Sequence, residues 1–363
     1  RVKKIYARNE FYTAALILVL AVFIELRSGL FFTSNNILDI LRGMIVPGML
    51  GLSEYIVMVS GGCDVSFPYS AALSMYSTII LLKAVNFTGN VMIAFLLSCL
   101  FGIVIGMVNG LIIMRYRFPV LIVTLATCSI CQGILFGILN AHEIPVIPQP
   151  IQNLAKSMLI RTYSEKAQMA GSLPLVFLVF FILTAAVWFL MRRTTIGRSI
   201  FAVGGDVSSA ERIGIKVNFV YMFIYGFAGF IAGLTGMTRV VLMDTCHPNT
   251  FSGMDMTVIA AVILGGTKVT GGSGSITGVM LGTMLFVIVN NSLQLMGIPN
   301  YWQKFFLGVL IVLGTGIAAF QVSRKRKKGK FQTVGNVDLV DLNGGSLESC
   351  FVLFCFVLFC FVL

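Results

Sequence analysis

Long apolar runs follow one another down this chain, and the stretches between them are short and often basic. That alternation restricts the fold severely. About 20 apolar residues suffice to cross a bilayer as a helix. Inside lipid only helices and closed barrels satisfy every backbone N–H and C=O. A barrel alternates apolar and polar residues over segments of about ten residues. The runs here are longer and do not alternate, so the chain reads as an all-α polytopic membrane protein with about ten transmembrane helices. The spans fall near residues 11–29, 38–60, 66–84, 90–114, 119–140, 174–191, 218–241, 255–268, 275–296 and 303–321. The eighth is short and glycine-rich at its end, as a broken or re-entrant helix buried in protein would be. Only 11% of the 363 residues are charged, against about 25% in soluble domains. Arg1-Val2-Lys3-Lys4 ahead of an apolar run resembles a secretory signal, but no small-residue cleavage site follows, which predicts a retained first helix.

The net charge is +12, and its distribution sets a topology. With both termini in the cytoplasm, most of the 26 basic residues lie inside: at the N-terminus, at Arg115 and Arg117, between Arg192 and Lys216, at Lys268, and from Arg324 to Lys330. The opposite orientation places that charge outside, against the positive-inside rule. Basic residues parked between apolar runs argue for contact with membrane lipid and against nucleic acid. Residues 141–173 become the largest external loop, with Pro145, Pro148 and Pro150 shaping a rim. The organisation is then a transmembrane domain over 1–323 and a basic, low-complexity, disordered tail over 324–363. From Cys350 onward the tail repeats with a period of five, which fits neither a helix face nor a strand, and it is assigned no role.

No reactive constellation stands out. Cys128 and Cys131 have CxxC spacing but sit within a span and have no second pair, so no metal site is assigned. Asp244, His247 and Asp255 flank one external turn without sharing a helix face. There is no HExxH, no nucleophile–base pair and no phosphate loop; the glycines around Lys268 read as a tight turn. The chain is therefore expected to be a transport subunit and not an enzyme, and any nucleotide chemistry lies elsewhere.

Several polar residues interrupt this background. Glu54 is embedded in an apolar run, where an ionisable group is costly, so it faces the bundle interior; no second acid is evident at its depth, which disfavours a proton relay. Asp64 either caps the third helix or lines a pathway. Gly226, Gly229, Gly233 and Gly236 are spaced for close helix packing. The polar island from Thr194 to Ile215 lies between two long spans and is the segment a motor protein would push.

The chain resembles the permease subunits of bacterial ABC importers for ribose-type simple sugars, the branched-chain amino acid/ribose permease superfamily. The resemblance rests on Ser60-Gly-Gly-Cys-Asp-Val-Ser66, Asn109-Gly-Leu-Ile-Ile, Phe118-Pro-Val-Leu-Ile-Val-Thr-Leu125, Thr195-Ile-Gly-Arg-Ser-Ile-Phe-Ala-Val-Gly-Gly205, Ile259 to Thr267, Gly271 to Gly274, and Asn290-Asn-Ser-Leu293. These occur in family order. They imply a type II-like importer fold and a bacterial inner-membrane location. The implied partners are a cytoplasmic ATPase that holds ATP and magnesium, a periplasmic or lipid-anchored sugar-binding protein, and a second permease chain, identical or related. No cofactor is expected on this chain itself. Residues 192–217 become the coupling segment, with Thr195, Gly197, Arg198, Phe201, Gly204, Asp206 and Arg212 facing or shaping the ATPase contact. Glu54, Asp64, Ser66, Thr124, Asn290 and Asn291 become candidates for the translocation pathway. The chain departs from the family at Cys63-Asp-Val-Ser-Phe-Pro68 and at Asp206, where Asn is common, and these departures leave the sugar open. The rival reading is a cation-coupled secondary carrier for a small polar solute.

Overall fold

The computed structural model describes residues 9–164 and 169–295, together with Trp302, Phe305 and Gly308. Apart from Phe305 and Gly308, the tenth span at 303–321 lies outside the described residues, as does the tail at 324–363. The nine preceding spans each correspond to a helix. In chain order these are α1 (Asn9–Ser28), α2 (Ser34–Val59), α3 (Phe67–Ala84), α4 (Val91–Tyr116) and α5 (Val120–Gly133), which runs on into a π-helical turn (Ile134–Ile138). After a short α6 (Gln149–Ala155) come α7 (Phe177–Arg193), α8 (Thr195–Gly205), α9 (Val207–Arg212), α10 (Val217–Met243), α11 (Met254–Leu264) and α12 (Ile276–Leu295). Among the described residues, four helical stretches are long and apolar enough to cross a membrane: Ser34–Val59, Val91–Tyr116, Val120–Ile138 and Val217–Met243. A fifth arises if α7 and α8, bent by 71° at their junction, are taken as one span.

One departure from an all-helical chain lies in the 141–173 loop. Two strands, β1 (Met158–Ser164) and β2 (Met169–Pro174), pair antiparallel. Their β-branched and aromatic residues (Ile160, Thr162, Tyr163) have the strand preference, but the run is too short to stand out in a chain this apolar. The hairpin rests on the start of α2, where the Thr162 hydroxyl donates to Asn35 Oδ1 at 3.3 Å.

Two packing devices build the bundle. The first is α2, buried almost all round from Met44 to Val59, which serves as an axis. Pro47 within it removes one backbone hydrogen bond, a loss that neighbouring helices tolerate in membrane proteins. The second is the seam between α4 and α10. A Cβ at Gly102 would strike the Gly229 carbonyl, and one at Gly233 would strike the Ser98 carbonyl. The small-residue spacing read on α10 thus marks a backbone-to-backbone contact. Ser98 Oγ donates across it to the Gly233 carbonyl at 2.7 Å.

The loops sort onto two ends. At one end lie the 60–66 turn, the 115–119 loop, α8 and α9, and the 265–275 turn, carrying Arg115, Arg117, Arg192, Arg193, Arg198, Arg212, Lys216 and Lys268. At the other, Ile144 bridges Cys246 and Asn291 Nδ2 donates to Asn36 Oδ1 at 2.6 Å. The basic segments separated in sequence therefore share one face of the molecule.

Candidate functional site

At the basic end, α8 folds back beneath the bundle. Thr194 starts it: its backbone is extended, its hydroxyl accepts from Gly197 N–H at 3.1 Å and donates to the Leu190 carbonyl at 2.6 Å. That pair of bonds fastens the bend between α7 and α8 and satisfies a free helix-end donor. Gly197 sits inside the bend, where a Cβ would meet the Leu190 and Met191 carbonyls. Gly197, Ile200, Val203 and Gly204 face inward. Thr195 and Arg198 face out, and Phe201 is half-buried.

Gly204 reaches furthest in. A Cβ there would collide with the Val59 carbonyl and approach Gly272 N at 2.8 Å. Gly272 N–H donates to that same Val59 carbonyl at 2.9 Å. Three segments distant in sequence, the end of α2, the end of α8 and the turn between α11 and α12, therefore meet backbone to backbone. Gly266, Gly271 and Gly272 have positive φ, as the tight-turn reading of the glycines around Lys268 required.

Asp206 ends α8 and starts α9. Its carboxylate accepts from Ser209 N–H and Ser208 Oγ, each at 3.0 Å, and from Ser209 Oγ. Those hydrogen bonds, Ser209's first, hold the exposed carboxyl below its usual range. Arg212 Nε donates to the Ser208 carbonyl at 3.3 Å, which closes the short turn of α9. Around this unit lies a surface the sequence reading did not single out. Ile213 is 73% exposed, Tyr116 64% and Phe118 53%, and the two rings stack with centroids 5.6 Å apart. Arg117 pairs with Glu211 at 3.3 Å, linking the 115–119 loop to α9. Exposed aromatic and isoleucine side chains beside basic groups make an interaction face.

Above this face, inside the bundle, runs a chain of buried polar groups. Asp64 N–H donates to Glu54 Oε2 at 3.3 Å. Asp64 Oδ1 accepts from the Ser66 N–H and Oγ, both at 2.7 Å. Asn109 Nδ2 donates to Ser66 Oγ at 3.0 Å, and Thr127 Oγ1 donates to Asn109 Oδ1. Thr124 Oγ1 donates to the Leu121 carbonyl at 3.3 Å and lies 3.4 Å from the Cys63 carbonyl. Glu54 is 0% exposed and Asp64 5%. The chain ties α2, the 60–66 turn, α4 and α5 together.

Four of the candidate pathway residues, Glu54, Asp64, Ser66 and Thr124, are thus brought to one place. Asn290 and Asn291 are not; they lie on α12 toward the far end. Asp64 anchors the start of α3 through Ser66, and it also neighbours Glu54. The expectation that Glu54 has no second acid at its depth is corrected here: the 60–66 turn dips into the bundle, so a residue beyond the end of the span sits beside one within it. Asn109 and Thr127 were missed as members of the chain. An amide in the middle of an apolar helix was the available signal.

A multi-pass helical bundle with a folded unit at its basic end and a polar chain in its interior has the build of a membrane transport subunit. Comparison with known families assigns it: the chain belongs to the family described as branched-chain amino acid transport system / permease component, whose model matches residues 36–314. It is 28% identical over 305 residues to the ribose import permease protein RbsC of Escherichia coli K12, covering 82% of this chain and 89% of that one. It is 27% identical over 297 residues to the L-arabinose ABC transporter permease protein AraH of Azospirillum brasilense, covering 82% and 83%. It is 27% identical over 321 residues to the galactose/methyl galactoside import permease protein MglC of Escherichia coli K12, covering 85% and 94%. No solved structure matches the chain.

Proposed function

We propose that this chain is the membrane-spanning subunit of an ATP-driven ABC importer for a simple sugar. It sits in a bacterial inner membrane with its basic end in the cytoplasm, as the positive-inside rule requires of that charge. The observation that carries the reading is the α8–α9 unit. A short amphipathic element is clamped at its start by Thr194 and at its end by Asp206, and it is seated against α2 without intervening side chains. Such a unit accepts a force at its outer face and passes it to the axis of the bundle. A cytoplasmic ATPase, holding ATP and magnesium, is the partner that supplies the force. An external binding protein delivers the sugar to the far end, and a second permease chain completes the conduit. Rocking of the paired chains then alternates access. Relatives named for ribose, L-arabinose and galactose support a monosaccharide cargo.

The test is ATPase stimulation. In the assembled transporter, loaded binding protein is expected to stimulate ATP hydrolysis, and Arg198→Glu is expected to abolish the stimulation while the permease keeps its thermal unfolding midpoint. Unchanged stimulation would count against the coupling role.

A cation-coupled carrier is the second reading, and the placement of Asp64 beside Glu54 favours it. It requires this chain alone, in vesicles under an imposed ion gradient, to accumulate solute. The permease family and the coupling unit both weigh the other way.

A further inference from the structure

The far end holds a feature that neither the coupling unit nor the buried polar chain uses. A cavity of about 520 Å³ opens between α2, α10 and α12, with α11 at its edge. Its polar groups are Asp39 and Arg42 on α2, Arg239 on α10, and Asn290 and Asn291 on α12. Asp39 and Arg42 are exposed although they lie within a helix long and apolar enough to cross a membrane. Charged side chains at such positions are expensive against lipid and face a wet cavity or a bundle interior instead.

The donors and acceptors in this cavity are mixed. Arg42 Nη2 donates to the Leu242 carbonyl at 3.2 Å, and Arg239 Nε donates to Thr250 Oγ1 at 2.8 Å. Each guanidinium is thus fixed by one bond and keeps further N–H groups. Asn291 gives one Nδ2 N–H to Asn36, which leaves its second N–H as a donor and its carbonyl oxygen as an acceptor. Asn290 offers both amide functions, and the Asp39 carboxylate accepts only. Phe286, Val46 and Met254 supply apolar wall. Sugar hydroxyls both donate and accept, and pyranose and furanose rings present a C–H face to aromatic and aliphatic side chains. A few fixed polar groups on an otherwise apolar concave wall is the usual make-up of a small-molecule site. Asp39 offsets one of the two guanidinium charges, so the lining keeps a single excess positive charge.

We propose that this cavity is a receiving site for a neutral monosaccharide on the permease itself. Arg42, Asp39 and Asn290 act as its hydroxyl contacts. The proposal rests on the sugar-importer reading and adds a place for the sugar on this chain.

The test is equilibrium binding of radiolabelled D-ribose, L-arabinose and D-galactose to the full-length chain in lipid nanodiscs, with ribose 5-phosphate as competitor. Uptake of the same sugars by the assembled transporter is measured in parallel. At least one sugar is expected to bind saturably, with ribose 5-phosphate competing poorly. Arg42→Ala and Asn290→Ala are each expected to weaken binding about tenfold or more, with unfolding midpoints unchanged. Asn290→Gln is expected to restore part of the loss, which a packing defect would not do. Leu100→Ala, on the exposed face of α4 and outside the cavity lining, is expected to leave binding unaltered. Three results would overturn the site: uptake of a sugar that the isolated chain does not bind, binding insensitive to both alanine variants, or tighter binding of the phosphate ester. Failure of the assembled transporter to take up any of the three sugars would instead overturn the importer reading, and the site with it.

Discussion

Asn109 shows what a single buried amide does in this molecule. It holds Ser66 with its nitrogen and receives Thr127 at its oxygen, so one side chain joins three segments. Asn109→Leu leaves both hydroxyls without that partner in a low-dielectric interior, at a cost of about 1–3 kcal/mol for each polar group stranded. Thermal unfolding in detergent should show a clear fall in midpoint for Asn109→Leu and a smaller one for Thr127→Val, which removes only the terminal link. Asp206 gives a prediction in pH. Its charged form accepts the Ser208 and Ser209 bonds, and its carboxyl is held low by them. A group lowered in the folded state stabilises above its unfolded range and loses that effect as pH falls through the folded value. Amide exchange at Ser209 is therefore expected to be slow at neutral pH and to quicken on acidification, after correction for intrinsic exchange. Asp206→Ala is expected to remove the pH dependence.

Among elements, the α4–α10 seam and the α8–α9 unit make opposite demands. The seam tolerates no volume. Gly229→Leu would drive a branched side chain into the Gly102 carbonyl and is expected to abolish the folded state in detergent, whereas Ser98→Ala, which deletes one interhelical hydrogen bond, is expected to cost about 0.6 kcal/mol. The α8–α9 unit, in the proposed coupling role, is expected to tolerate surface change but not loss of its charge pattern and apolar knob. Ile213→Asp is expected to leave the unfolding midpoint in place and to reduce ATPase stimulation by the assembled transporter; an unaltered stimulation would remove Ile213 from the docking face. The spans were legible because a run such as 90–114 has no other stable state in lipid, and the seam was legible because Gly229 and Gly233 repeat at four-residue spacing. The hairpin at 158–174 was not, since its few β-branched residues vanish among so many others. The neighbourhood of Glu54 and Asp64 was not legible either: ten residues apart and on opposite sides of a helix end, they meet only because the 60–66 turn folds inward.

For the whole molecule, the sorting of basic loops onto one end turns a statistical charge rule into a surface. Arg117, Arg198 and Arg212 come from two loops, yet they share one face with Ile213 and Phe118. Sequence alone could place each of them on the same side of the membrane; it could not place them together, because that depends on α8 folding back by 71°. The same limit applies to Asn290 and Arg42, which belong to helices more than two hundred residues apart and border one cavity. The meeting of Val59, Gly204 and Gly272 carries a mechanical consequence. Side chains cushion most helix contacts by hopping between rotamers, and here no side chain intervenes. A displacement of α8 cannot be absorbed locally, so the linkage runs without slack and the axial helix has to follow.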